Sequence, residues 1–227
     1  MTTACAAIFD VEGTLIDCRL PLLESWRETL QSAGYSVTHH DLQPLFGMDG
    51  EWMLKKLLPA ESDDTRKRLV KAQGECYQRQ YIQSTCAFPG VRDLIETLKR
   101  AGMLIGIATT CQKEQLAFYD EQMAIRDLTD AVSCGEAVAH GKPDAALFQH
   151  CLRALDITDP TRALVVGDTP YDAIPAKALG MHPIGVLTGG FSEPALRRAG
   201  CQHVFAQVRE VGQLCQGVSP PPLLRTP

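Results

Sequence analysis

The strongest constraint on this chain is a short apolar run, Ala6, Ala7, Ile8 and Phe9, that stops abruptly at Asp10, Glu12, Gly13, Thr14 and Asp17. Such a run reads as a buried strand, and the acids sit where it would emerge from its sheet. Carboxylates at an apolar mouth repel one another and lose solvation, so they need a cation, a proton or hydrogen-bond donors; a metal ion is the simplest partner. Side chains two apart on an extended segment point the same way, which puts Asp10 and Glu12 on one face. Gly13 then allows a sharp turn.

With the first strand expected over residues 4–9, the pattern becomes helical from 21 to 83. Leu22, Leu23, Trp26 and Leu30 recur at helical spacing with Gly34 as a stop. Thr38 suits an N-cap with Asp41 in the first turn. Residues 45–50, L-F-G-M-D-G, read as a break, and Trp52, Met53, Leu57 and Leu58 form a further stripe ended by Pro59. A polar helix is expected over 62–82 with Leu69, Cys76 and Tyr77 as its buried face. Arg66, Lys67 and Arg68 read as its wet face, and Trp26 and Trp52 as packing aromatics.

After Phe88-Pro89-Gly90 helices and strands alternate, which signals parallel β-α units. Helices are expected over 91–101, 114–122, 144–155 and 172–179, with Lys142-Pro143 just before the third, where proline suits a helix start, and Pro175 early enough in the fourth to be tolerated. Strands are expected over 103–108, 131–133, 163–166, 183–187 and 203–205. Residues 218–227, with prolines at 220, 221, 222 and 227, read as a tail or packed extended segment without identifiable chemistry.

In an open parallel sheet, ligands bind beyond the carboxyl ends of the strands. Those ends carry Asp10, Thr109, a loop leading to Lys142, and Asp168: two carboxylates for a hard cation, an ammonium for an anionic substrate, and a hydroxyl. A net charge of −5 and a pI near 5.7 provide no global attraction to nucleic acid or anionic membrane. No apolar run approaches the ~20 residues of a membrane-spanning helix. Nine cysteines without a C-x-x-C pair argue against a disulfide framework or structural zinc and fit a reducing, cytoplasmic setting. There is no asparagine, so N-glycosylation is excluded.

Four motifs in order resemble the haloacid-dehalogenase-like (HAD) hydrolases, specifically the phosphoglycolate-phosphatase-like branch with a helical cap: D-V-E-G-T-L-I-D at 10–17, I-G-I-A-T at 105–109, G-K-P at 141–143 and G-D-T-P-Y-D at 167–172. The resemblance implies an α/β fold, a Rossmann-like three-layer core with a parallel sheet plus an inserted all-α helical cap. The core would span 1–17 and 87–217, the cap 18–86 and the proline-rich tail 218–227. It also implies Mg2+-dependent phosphoryl transfer. Asp10 would be the nucleophile, and Asp10, Asp168 and the backbone carbonyl of Glu12 would hold the metal, supported from behind by Asp172. Lys142 and Thr109 would bind phosphate oxygens. Thr110, standing where relatives often have asparagine, would contact substrate with Gly47 and Met48. The expected partner is a small phosphorylated metabolite, with neither nucleic acid nor membrane; the oligomeric state is not readable.

Glu12 departs from the pattern, since phosphatases of this kind usually carry aspartate two residues after the nucleophile. Glutamate keeps the carboxyl needed for a general acid/base and adds a methylene. The enolase-phosphatase branch resembles D-x-E-G-T here but continues with threonines that this chain lacks. Two other readings share the motifs: a phosphomutase, and a catalytically weakened scaffold that binds phosphorylated ligands. A P-loop is excluded, because residues 135–143 have the wrong glycine spacing and Pro143 replaces the required hydroxyl. A dehalogenase matches neither Glu12 nor the acidic pair Asp168 and Asp172.

Overall fold

The computed structural model describes residues 4–215. The apolar run forms strand β1 (Ala6–Phe9), all four residues fully buried. Ala7 and Phe9 join one apolar cluster while Ala6 and Ile8 join another, the period-two alternation of an extended chain. Both faces therefore need cover, and helices supply it.

A short strand β2 (Ile16–Asp17) leads into helices α1 (Arg19–Ser32), α2 (His39–Leu42), α3 (Gly50–Leu57) and α4 (Asp63–Gln80). Strand β3 (Cys86–Ala87) closes this insertion by pairing antiparallel with β2. The chain continues through α5 (Val91–Arg100), β4 (Leu104–Ala108), α6 (Lys113–Met123), β5 (Ala131–Ser133), α7 (Ala146–Ala154), β6 (Ala163–Gly167), α8 (Pro170–Ala178), β7 (His182–Val186), α9 (Glu193–Ala199) and β8 (His203–Phe205).

The main sheet has the order β5-β4-β1-β6-β7-β8, with every pairing parallel. Counted along the chain, its six strands lie 3-2-1-4-5-6, the doubly wound Rossmann order, whose crevice opens where the order reverses, between β1 and β6. The expected α/β architecture with inserted helices is thus present. Thr38 caps α2 with Asp41 in its first turn, as read from sequence, and the structure adds that the two close a reciprocal capping box; Leu69, Cys76 and Tyr77 are on the buried face of α4.

Local details differ from the sequence reading. Arg66 is buried rather than wet: its guanidinium turns back to the carbonyls of Leu58 and Glu61 and to Asp63 Oδ1 at 2.6 Å, satisfying oxygens around the α3–α4 turn. Pro143 precedes α7 as read, but the helix starts at Ala146 instead of Asp144, because the Asp144 side chain accepts from the Ala146 amide at 2.8 Å and holds a preceding turn. Pro175 lies past the first turn of α8, whose start at Pro170 is set by the Thr169 cap. Trp26 and Trp52 pack against the core only in part. The proline-rich segment 218–227 lies outside the described residues. Among those described, no helix is long and apolar enough to cross a membrane.

Candidate active site

Asp10 directly follows β1, and its amide donates to Val166 O at 3.0 Å, extending the β1–β6 ladder by one residue. This fixes the carboxylate at the crevice. β6 delivers Asp168 beside it. Thr169 caps α8, and Asp172 Oδ2 reaches back to accept from the Thr169 amide at 3.2 Å and hydroxyl at 2.8 Å. Lys142, from the loop after β5, pairs with Asp10 Oδ1 and lies 2.6 Å from Asp172 Oδ1. The Thr14 hydroxyl is 2.8 Å from Asp168 Oδ1 and 3.3 Å from Asp10 Oδ2, bridging the two strand ends.

Three buried carboxylates thus face one buried ammonium. Burial raises the Asp10 carboxyl against the opposing pull of Lys142, and burial reinforced by Asp10 and Asp172 raises Asp168 well above the usual range. Burial works against the charge on Lys142, but Asp10 and Asp172 together outweigh it and hold the proton in place. The surplus negative charge calls for a further cation.

Mg2+ fits these residues. Asp10, Asp168 and Asp172 each present an oxygen within 4.8 Å of the others, a hard donor set. Asp168 Oδ2 is buried without a hydrogen-bond partner. It is cradled by Gly13 and Gly189, where an added Cβ would lie 2.3 and 2.0 Å from that oxygen; Gly13 also turns with φ +88°.

Glu12 faces the same cleft. Its Oε1 accepts from Tyr119 Oη at 3.2 Å, and the Tyr77 and Tyr119 hydroxyls are 2.6 Å apart. Because Tyr119 gives its one proton to Glu12, Tyr77 donates to Tyr119. Burial, with help from the Asp10 charge, pushes the Glu12 carboxyl up to about 7, while the Tyr119 hydrogen bond opposes the rise. A carboxyl so placed can exchange protons near neutrality.

Asp10 and Glu12 open onto a cavity of about 150 Å³ between the inserted helices and the sheet, lined also by Thr110, Gly47 and Met48. Gly47 rests on Thr169, where a Cβ would lie 2.5 Å from Thr169 Cγ2, and the Asp49 amide donates to Lys142 O at 2.8 Å. Thr109 is fully buried, its hydroxyl accepting from the Cys111 amide at 3.2 Å, and is not part of the cavity wall. The sequence reading assigned no role here to Thr14, Tyr77 or Tyr119. Thr14 lies within the first motif, but Tyr119 is 107 positions from Glu12 and carries no local signal.

A doubly wound sheet with paired acids at its switch point and a lysine between them defines a hydrolase of the haloacid dehalogenase-like type. The chain belongs to the haloacid dehalogenase-like hydrolase family, whose model matches residues 7–186. It is similar to a phosphoglycolate phosphatase of Agrobacterium fabrum, 28% identical over 194 residues that cover 81% of this chain and 80% of that one. A phosphorylated carbohydrates phosphatase of Thermotoga maritima is 26% identical over 197 residues, covering 86% and 91%. Among solved structures, a hydrolase from Pseudomonas syringae matches with a TM-score of 0.86 and 26% identity over 94% of this chain and 98% of that one. The phosphoglycolate-phosphatase-like resemblance read from the motifs therefore holds.

Proposed function

We infer that the protein is a Mg2+-dependent phosphatase that hydrolyses a small phosphomonoester through an aspartyl-phosphate on Asp10, with Glu12 as general acid/base. The observation that carries this reading is the opening of both carboxyls onto one cavity, with Lys142 bound to Asp10. Residues 1–17 and 87–217 would be the catalytic core and 18–86 the cap.

In the first step an Asp10 oxygen attacks phosphorus, the ester P–O bond breaks, and Glu12 gives its proton to the departing oxygen. In the second step Glu12, now a carboxylate, takes a proton from water; the water oxygen attacks the phosphorus of the aspartyl-phosphate, releasing inorganic phosphate and restoring Asp10. Lys142 offsets the repulsion between two anions and is itself aligned by Asp172. Asp10, Asp168 and the Glu12 carbonyl would hold Mg2+, which when bound supplies charge neutralisation to the phosphoryl oxygens. Thr110, on the cavity wall, would donate its hydroxyl proton to phosphate, while Thr109, expected from the sequence to do the same, lies behind that wall and holds the Cys111 amide. Eight cysteines among the described residues are free thiols, which supports a reducing, cytoplasmic setting.

The test is hydrolysis of p-nitrophenyl phosphate and a panel of small phosphomonoesters with and without Mg2+. Metal-dependent phosphate release is expected. Absence of turnover across the panel with Mg2+ present would overturn the reading, and strict dependence on a bisphosphate activator would replace it with a mutase.

A further inference from the structure

We propose that the substrate's alcohol portion is uncharged and largely apolar, and that the cavity selects against esters carrying a second anion. This deepens the phosphatase reading and rests on it.

Somewhat more than half of the wall is hydrocarbon, supplied by residues including Leu22, Leu23 and Trp26 from α1, Met48 from the loop before α3, Met53 from α3 and Val70 from α4. Its polar groups are the carboxylates of Asp10, Glu12 and Asp49, with the neutral side chains of Gln73, Gln112, Gln115 and Thr110. Among the described residues that line it there is no lysine, arginine or histidine. Nearby cations are committed or turned away. Lys142 lies between Asp10 and Asp172, Arg19 donates to Gln43 Oε1 at 2.8 Å, and Lys55 lies over the Trp52 ring.

A second carboxylate or phosphate would have to leave water for a cavity whose wall offers it no cation: Asp10 is already paired with Lys142, Glu12 carries the proton for the leaving oxygen, and Asp49 adds a like charge, so entry is costly. A neutral alcohol loses only weak hydration and gains apolar contact, while amides and a hydroxyl remain for a substrate OH. Specificity here comes as much from what is repelled as from what is bound. Gly74 supports this design: it lies inside α4 facing the cavity, and a Cβ built on it would meet nothing within 4 Å. Glycine is unfavourable in a helix interior, and its missing side chain here leaves space on the substrate side.

The experiment compares a matched pair, 2-hydroxyethyl phosphate and phosphoglycolate, which differ chiefly by a terminal CH2OH in place of a carboxylate, with propyl phosphate as the apolar member and p-nitrophenyl phosphate as the activity control. The kcat/KM for the two neutral esters is expected to exceed that for phosphoglycolate at least about thirtyfold, as for a charge desolvated without a partner. Val70→Lys, which adds an ammonium from a half-buried position on the wall, should cut that ratio at least about tenfold by pairing the carboxylate. Asp49→Asn, which retains an N-cap residue for α3, should narrow it severalfold and covers the case in which the lysine variant fails to fold. Phosphoglycolate turned over as well as its neutral partner by the wild-type protein would overturn the substrate class alone. A protein inactive on p-nitrophenyl phosphate as well would overturn the phosphatase reading and this one with it.

Discussion

Tyr119 Oη donates to Glu12 Oε1 across 3.2 Å, joining helix α6 to the loop after β1, with Tyr77 of the inserted α4 standing 2.6 Å behind it. The added methylene of glutamate is thus matched by a donor that positions the longer carboxyl. Glu12→Gln is expected to slow esters with poor leaving groups by about 10²–10⁴-fold, the usual worth of a positioned acid/base. Aryl phosphates should lose less in forming the aspartyl-phosphate, and the variant should accumulate covalent phosphate. Tyr119→Phe should lower kcat more modestly at little change in KM and add little on top of Glu12→Gln, because the two act as a unit. Equal rates for wild type and Glu12→Gln across leaving groups would assign proton transfer elsewhere.

Asp10→Asn should abolish turnover with the fold retained, because an amide is neither a phosphoryl acceptor nor an anionic metal ligand. Steady-state rates with circular dichroism check both parts; a near-wild-type rate would exclude Asp10 as the nucleophile.

Chelation by EDTA should stop hydrolysis and added Mg2+ restore it. Mg2+ should also raise the thermal unfolding temperature, since a cation held only by the folded carboxylates stabilises that state. Full activity in metal-free buffer would refute the metal requirement.

Lys142→Met removes the ammonium between Asp10 and Asp172. The loss in transition-state stabilisation should be on the order of 2.7–4 kcal/mol, that of one oxyanion donor, or more for a full charge. A decrease below tenfold in kcat/KM would mean that Lys142 does not act on the phosphate.

Gly74→Ala should stabilise the fold by about 0.5–1 kcal/mol, because helix-interior glycine is replaced where space is open. Denaturant unfolding reads the gain, and a destabilised variant would show that the position is not open. KM for longer alkyl esters should rise as the methyl narrows the cavity.

Much of this molecule is readable one segment at a time. Ala6 to Phe9 had to be a buried strand, and Leu69, Cys76 and Tyr77 had to share the inward face of their helix, because side-chain period follows directly from local backbone geometry. Asp10, Lys142 and Asp168 were identifiable because each ends or follows a strand, and strand ends in a parallel sheet share one edge.

What the sequence alone determined was therefore the parallel α/β core, the helical insertion and the residue types collected at the crevice. Only the tertiary structure decided that Tyr77 and Tyr119 reach Glu12, that Arg66 turns inward to carbonyls, that Thr109 sits behind the cavity wall while Thr110 lines it, and that this wall lacks a cation among its described residues. Periodicity reports which face of its own element a side chain occupies. Which residue of another element it meets depends on how helices distant in the chain pack around the sheet, and no local spacing encodes that.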